Sequence, residues 1–212
     1  LREWKRTYRE WILEADSEKL KDGSIFFDLR VIYGQKGLVE ELKADIVDAL
    51  NIQAMDPDRT FLQIMATNAL EHKPPLNFFR RFVVERSGGH RHTINIRDRG
   101  TLPVVEAARI LALELRYLES TNTVDRLQYA AQAIPELSRV LEETLEAYRF
   151  LVDFRLEEQL RAFDSGEEPS NYIDPYALPR LQQNLIRNSF STVLELQESI
   201  AHRYHLAKKR LI

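Results

Sequence analysis

The stretch TLPVVEAARILALELRYL, residues 101–118, is the most apolar helical pattern in the chain and sets the expectation for the fold. Its apolar residues fall on nearly every side of the predicted helix, and a helix of this kind is normally buried. We therefore expect it to run through the middle of a helical bundle. Glu106 and Arg109 lie three residues apart, which favours a local ion pair, and a buried anion contact by Arg109 is the alternative. The stretch has four charged residues: Glu106, Arg109, Glu114 and Arg116.

Helical periodicity continues on both sides of this stretch. The turn-forming segment DSGEEPSNYIDPYAL, residues 164–178, precedes the last helix, and Pro135 should kink or restart the one before it. We predict an all-α, up-and-down bundle of four to six helices with a short strand or hairpin element. The other helices are predicted at residues 2–15, 38–52, 57–71 (with an N-cap at Asp56-Pro57) and from about 123 to 163.

Two regions have strand-like composition. In FVVERSGGHRHTINI, residues 82–96, the turn formers Ser87-Gly88-Gly89 could fold one run back on the next as a hairpin. The other region is SIFFDLRVIYGQKG, residues 24–37, where Asp28 and Arg30 lie among apolar residues. Buried charges are usually paired, so an Asp28–Arg30 ion pair on an edge strand is one interpretation and a functional role for Asp28 is the other.

Composition excludes several classes of protein. The chain has 212 residues, 44% of them hydrophobic, which suffices for one substantial core. A net charge of −3 argues against wholesale nucleic-acid coating, and the absence of cysteine excludes disulfides and thiolate metal sites. No apolar run approaches the length of a membrane span and the first residues do not resemble a secretory signal, so we expect a cytoplasmic protein, cut from something longer.

Charge is unevenly distributed along the chain. Residues 78–100 contain six arginines and two acids, whereas residues 136–168 contain ten acids and four arginines. The basic segment could bind an anion, or it could simply rest on the acidic helix. We find no P-loop, no dinucleotide-binding glycine pattern and no H-E-x-x-H, so the chain has no autonomous catalytic motif.

Four segments together resemble the nucleotidyltransferase substrate-binding domain family of bacterial signalling proteins. In that family the domain follows a nucleotidyltransferase domain, often with cyclic-nucleotide-binding or cystathionine-β-synthase-type domains upstream. The resemblance extends from about residue 25 to residue 204 and implies two parts: residues 1–23 as the C-terminal tail of a preceding nucleotidyltransferase domain, and residues 24–212 as the helical substrate-binding domain. The segments are FFDLRVIYG (26–34), PVVEAARILALELRYLESTNTVDRL (103–127), PSNYIDPYAL (169–178) and LQQNLI (181–186).

DLRVIYGQKG, residues 28–37, is also similar to a segment of glutamine synthetase adenylyltransferases and of the related PII uridylyltransferases. There, an Asp joins two earlier carboxylates around Mg²⁺. The resemblance implies that Asp28, with Arg30 in the same motif, is the third carboxylate and a metal ligand once the upstream domain is present. We take the Gly-Ser and Asp-x-Asp elements of such transferases to be missing from this chain and expect the first two carboxylates in the upstream domain. This chain alone should therefore be catalytically inert.

The resemblance therefore implies an accessory domain that recognises the acceptor in signal transduction, with a nucleoside triphosphate and a regulatory protein or small molecule as partners. Arg97, Arg99 and Arg109 are the candidate anion contacts. Where the family commonly has Asp-Leu-Lys, this chain has Asn95-Ile96-Arg97, which keeps a cation and loses a carboxylate.

Two other functions are open at this stage. The chain could be a non-catalytic interaction module that relays a nucleotide signal as a homodimer, with the Trp4/Trp11 stripe as its interface. Binding of single-stranded nucleic acid through the arginines and phenylalanines of residues 78–99 is the least favoured, because the chain is acidic overall.

Overall fold

The structure is a computed structural model that describes residues 1–21, 23–56 and 60–206. These residues form eight α-helices and one two-stranded antiparallel sheet, which confirms the all-α fold with a short strand element. Their number exceeds the predicted four to six because Ser17–Lys21 forms an additional short helix and the segment predicted from about 123 to 163 is divided into two helices at Pro135. The helices are α1 (Arg2–Glu14), α2 (Ser17–Lys21), α3 (Lys36–Gln53), α4 (Thr60–Ala69), α5 (Leu102–Glu114), α6 (Thr123–Ala133), α7 (Ser138–Asp164) and α8 (Arg180–Arg203), and the strands are β1 (Ile94–Asn95) and β2 (Tyr172–Ile173).

Helices α5 to α8 pack in sequence order, as in an up-and-down bundle. Helix α5 contacts α6, α6 contacts α7, α7 contacts α8, and α8 returns to α5. Helix α5 is buried along most of its length, from Pro103 to Leu113, which confirms it as the core element. Pro135 starts a short 3₁₀ turn between α6 and α7, as the sequence predicts. No helix among the described residues is both long and apolar enough to cross a bilayer.

The turn just before α5 packs closely against helices α7 and α8. Gly100 lies in a single π-helical turn, Arg97–Thr101, that leads into the helix. A β-carbon at this position would lie 2.9 Å from Cε1 of Phe190 and 3.4 Å from Cδ1 of Leu151. Only glycine leaves room here, so this position fixes the spacing between the start of α5 and helices α7 and α8.

The N-terminal region packs on this bundle through α4. Helix α1 lies on α3 and also contacts α4, which in turn contacts α5 and α8. Tyr8 and Ile12 form the buried face of α1, whereas Trp4 is half exposed. The predicted N-cap at Asp56-Pro57 is described only at Asp56, which accepts a hydrogen bond from the Thr60 hydroxyl at 3.2 Å. Pro57 lies outside the described residues.

Residues 24–34 do not form the predicted strand. Gly23–Phe27 is a 3₁₀ turn, and the chain continues without regular structure to the start of α3. Phe27 is the reason, because its buried ring packs edge-on against Tyr8 and tilted against Phe61, with centroids 5.3 and 5.6 Å apart. Strand propensity is expressed only when a partner strand and a pleated surface are available, and here burial against helices prevails.

The strand within residues 82–96 does not pair with the first half of the same segment, as the predicted hairpin required. The chain does turn, since the Glu85 N–H bonds to the Thr93 carbonyl and the His92 N–H bonds to the Glu85 carbonyl, both at 2.9 Å. However, the strand that follows, β1, pairs antiparallel with β2, with Ile94 opposite Ile173. The segment predicted as a loop before α8 therefore supplies the second strand.

Candidate functional site

The segment that carries Asp28 is held in place by aromatic packing. The Tyr8 hydroxyl donates to the carbonyl of Phe26, and Trp11 contacts Phe26 and Phe27. Burial raises the pKa of Tyr8 to about 12, so this hydroxyl stays protonated as a donor. These contacts hold the turn Gly23–Phe27 against α1 and place Asp28 at the end of the turn.

The carboxylate of Asp28 lies between two buried arginines from different helices. Arg109 of α5 donates from Nε to Oδ1 at 3.2 Å and from Nη2 to Oδ2 at 2.6 Å, so this pair is bidentate. Arg126 of α6 donates from Nη1 to Oδ1 at 2.5 Å. Only 5% of the Arg109 side chain and 3% of the Arg126 side chain are exposed, against 25% of Asp28. We call Asp28, Arg109, Arg126, Glu106 and Ser24 the Asp28 cluster.

Further groups accept hydrogen bonds from the two arginines. Arg109 Nη1 donates to Glu106 Oε1 at 2.7 Å and to the Ser24 hydroxyl at 3.2 Å, which confirms the predicted Glu106–Arg109 pair. Arg126 Nε donates to the carbonyl of Ser120 at 3.0 Å. Two guanidinium groups thus face two carboxylates, and the cluster is electrically balanced, as a buried ionic group must be.

Helix capping positions Arg126. The side chain of Asn122 accepts hydrogen bonds from the N–H groups of Val124 and Asp125 at 2.8 and 3.4 Å, which starts α6. Arg126 follows within the first turn and is buried. Arg126 was not among the predicted site residues, although its position close to an Asn cap, just after the apolar helix, is a sequence signal for it.

The electrostatics of the cluster keep Asp28 ionised. Burial by itself would raise the pKa of Asp28, but the hydrogen bonds and charges of Arg109 and Arg126 outweigh it and hold the pKa below its usual value. Burial likewise opposes the charge of Arg109, and Asp28 and Glu106 outweigh it and raise the pKa of Arg109. The cluster is a permanent network of ion pairs at neutral pH.

The predicted Asp28–Arg30 pair is wrong. Arg30 is exposed and makes no ion pair or hydrogen bond with any residue in the described ranges. Asp28 is paired, as that interpretation required, but with Arg109 and Arg126, which are 81 and 98 residues further along the chain. The physical reason is burial, since the 3₁₀ turn directs Asp28 toward the bundle and leaves Arg30 in solvent.

In this arrangement Asp28 does not fit Mg²⁺. Both of its oxygens accept hydrogen bonds from guanidinium groups, and two positive charges within hydrogen-bond distance repel a cation. The part of the chain that the structure describes holds no group of three His, Asp or Glu side chains suited to a metal. The catalytic and metal-binding roles of Asp28 stay predictions that concern the chain together with a transferase domain.

The expectation that the chain lacks Gly-Ser and Asp-x-Asp elements is wrong for the sequence itself, which has Gly23-Ser24 and an Asp-x-Asp at residues 56–58. Ser24 belongs to the Asp28 cluster, and Asp56 accepts hydrogen bonds from Gln53 and Thr60 at 3.1 and 3.2 Å. Asp58 lies outside the described residues. The contacts of Ser24 and Asp56 are those of structural residues.

The three predicted anion contacts have different surroundings. Arg109 is occupied by Asp28 and Glu106. Arg97 is half exposed and pairs with Asp98 at 2.9 Å, while Arg99 donates from Nε to the carbonyl of Lys73. Arg97 and Arg99 therefore share no partner with Arg109, and Arg97 is the most exposed of the three.

Asn95 is held by two hydrogen bonds to Asp98. Asn95 Nδ2 donates to Asp98 Oδ2 at 2.8 Å, and the Asp98 N–H donates to Asn95 Oδ1 at 3.0 Å. These two bonds fix the turn that precedes α5. Asp98 also provides the carboxylate that pairs with Arg97.

The basic segment and the acidic helix do not neutralise each other. Among the residues that the structure describes, no ion pair joins residues 78–100 to residues 136–168. No ion pair between described residues supports the interpretation that the basic segment rests on the acidic helix, although the end of the segment, at residues 97–100, does contact α7. Four arginines of the segment are exposed without an ion-pair partner in the described ranges: Arg80, Arg81, Arg86 and Arg91.

The described residues thus combine an all-α bundle, a buried arginine–carboxylate cluster and a basic segment with four exposed arginines that have no ion-pair partner in the described ranges. Residues 59–204 match the family model described as "Putative nucleotidyltransferase substrate binding domain". The chain belongs to this family, which confirms the family resemblance seen in the sequence. No curated protein and no solved structure matches the chain.

Proposed function

We propose that this chain is the acceptor-recognition domain of a nucleotidyltransferase that acts in signal transduction. The observation that carries the proposal is the family match, which extends over α4 to α8 and includes the whole basic segment. The catalytic carboxylates and Mg²⁺ belong, in this proposal, to a nucleotidyltransferase domain that precedes residue 24. The partners are that domain, a nucleoside triphosphate and an acceptor, either a regulatory protein or a small molecule, in the cytoplasm.

The contribution of this chain is positioning. A rigid bundle that holds an acceptor hydroxyl near the reacting phosphate makes the reaction effectively unimolecular, and such positioning can account for much of a rate enhancement. The Asp28 cluster supports this role, because it ties the segment before α3 to α5 and α6. It fixes the orientation of the N-terminal region relative to the bundle.

Arg97 is the anion contact that the surroundings favour most. Its side chain is 53% exposed and its ion pair with Asp98 is easily exchanged for a phosphate, since exposed ion pairs contribute little. Arg99 lies two residues further, half-buried, with one nitrogen on a backbone carbonyl. Arg109 supports the site only indirectly in this proposal, because its donors are already used by Asp28, Glu106 and Ser24.

The test has two parts. The first combines the chain with its transferase domain and follows label transfer from α-labelled nucleoside triphosphates to cell extract in the presence of magnesium. The second measures nucleotide binding by calorimetry for the double variant Arg97→Ala/Arg99→Ala, with Arg6→Ala as a matched exposed control. We expect about tenfold weaker binding for the double variant, because a charge-assisted hydrogen bond contributes ~1.5–3 kcal/mol, and no change for the control.

The two measurements test the enzymatic role and the arginine site separately. An absence of label transfer in any extract would contradict the enzymatic role and favour a non-catalytic interaction module. Transfer with unchanged binding in the double variant would retain the enzyme and reject the arginine site.

A further inference from the structure

An ordered turn at residues 77–81 holds two phenylalanines in solvent. The Asn77 N–H donates to the Arg81 carbonyl at 2.9 Å, and Asn77 Oδ1 accepts from the N–H groups of Phe79 and Arg81 at 2.9 and 3.0 Å. Phe78 is 94% exposed and Phe79 is 76% exposed, and their rings meet edge to face at 5.5 Å. Because the backbone already fixes these rings, little ordering entropy is lost when another surface covers them.

Unpaired positive charge surrounds this turn. We call residues 77–91 the basic loop, which carries the two exposed rings and the four arginines that have no ion-pair partner in the described ranges. Exposed aromatic rings beside arginines are the residue types that dominate binding energy at protein interfaces.

The second half of α7 carries a complementary surface. Leu156 and Leu160 are each 53% exposed, and Phe163 is 70% exposed. Asp153, Glu157 and Asp164 lie on the same side of the helix as the two leucines, at helical spacings of three and four residues, and are exposed. None of these three acids makes an ion pair with a residue that the structure describes. We call residues 153–164 the acidic face.

Both surfaces lie next to the small sheet. The basic loop runs directly into β1, and His90 stacks on Tyr172 of β2 with centroids 3.5 Å apart. The acidic face precedes β2 by a short connection, and Gln159 of α7 donates to Asn171 at 3.2 Å. Both surfaces are thus connected to the same small sheet, and yet no ion pair joins them in the described ranges.

We propose that the basic loop of one copy docks on the acidic face of a second copy, and the reverse, in a two-fold symmetric dimer. Two neighbouring surfaces of opposite charge are self-complementary under a two-fold axis, which forms both contacts at once and closes the assembly. Apolar groups lie inside each surface and charges around them, as in a stable interface.

The exposed apolar area supplies a large part of what a dimer needs. Phe78, Phe79 and Phe163 are 94%, 76% and 70% exposed, so at ~150–250 Å² for each aromatic side chain they contribute roughly 360–600 Å², and a stable complex buries ~800 Å² per partner. The leucines and arginine stems add to this area. Since the charges are exposed at the rim, salt should weaken the dimer through screening.

A charge-exchange experiment tests the proposal. The loop variant is Arg81→Glu/Arg86→Glu and the face variant is Glu157→Arg/Asp164→Arg. In light scattering at low salt we expect the wild-type chain to have the mass of a dimer and each variant alone to be a monomer. An equimolar mixture of the two variants should regain the dimer mass, because both contacts are then attractive again.

Matched controls keep the result specific. The reversals Arg6→Glu on α1 and Glu142→Arg on the first half of α7 change charge by the same amount per site and should leave the dimer intact. Phe78→Ser, at a nearly fully exposed position, should dissociate the dimer without loss of helical circular dichroism. A wild-type chain that is monomeric at low salt, or a variant mixture that stays monomeric, would overturn the proposal and leave the upstream domain or a nucleic acid as the occupant of the loop.

Discussion

Asparagine at position 28 should destabilise the fold substantially. The substitution keeps the size of the side chain and removes the charge that Arg109 and Arg126 share. Loss of one partner from a buried ion pair costs ~3–5 kcal/mol, because the remaining charges stay buried and unpaired. Since a quarter of the Asp28 side chain is exposed, water can partly replace it, and we expect the lower end, about 3 kcal/mol. For a chain of this size the melting temperature should fall by roughly 6–12 °C.

Urea unfolding followed by tryptophan fluorescence measures this loss directly. Trp11 contacts both Phe26 and Phe27 and therefore reports on the turn that carries Asp28. Arg97→Ala is the control, because its exposed pair with Asp98 should contribute less than ~1 kcal/mol. A change of less than about 0.5 kcal/mol for Asp28→Asn, the range of ordinary surface substitutions, would refute a structural role for the cluster. An increase in stability would instead indicate a carboxylate retained for catalysis at the expense of stability.

Two further predictions concern pH and packing. Because the pKa of Asp28 is lower in the folded chain, the ionised carboxylate contributes its full stabilisation above about pH 4 and loses it as the pH falls below that value. In acid unfolding monitored by circular dichroism, the stability of Asp28→Asn should therefore fall less steeply below about pH 4 than that of the wild type. Equal pH dependence of the two proteins would contradict this role of Asp28. Gly100→Ala places a β-carbon 2.9 Å from Phe190 and should cost about 1–3 kcal/mol in urea unfolding through overpacking, whereas Gly89→Ala, with no atom within 4 Å of the new β-carbon, should be nearly neutral.

Local pattern was sufficient for the helices. The all-round apolar pattern of residues 102–114 predicted a buried helix, and Pro135 predicted the break between α6 and α7. These features depend on spacings of a few residues, which the sequence displays directly. The ion pair between Glu106 and Arg109, three residues apart on one helix, was predictable for the same reason.

Long-range partners could not be predicted in this way. The partners of Asp28 lie on α5 and α6, and nothing in the local sequence distinguishes them from the nearer Arg30. Strand β1 likewise pairs with β2, which lies at least 77 residues further along the chain in a segment dense in turn formers. In both cases the partner, an arginine for Asp28 and a strand for β1, was selected by burial in the folded chain, which local propensity does not reveal.

The distance along the chain between Asp28 and Arg126 also has a consequence in time. During synthesis the Asp28 segment leaves the ribosome 98 residues before its last partner, which at ~5–20 residues per second is a delay of roughly 5–20 s. The turn with Phe26 and Phe27 must wait for α5 and α6 before the cluster can close. We therefore expect this segment to dock late, so that weakening the cluster accelerates unfolding more than it slows folding.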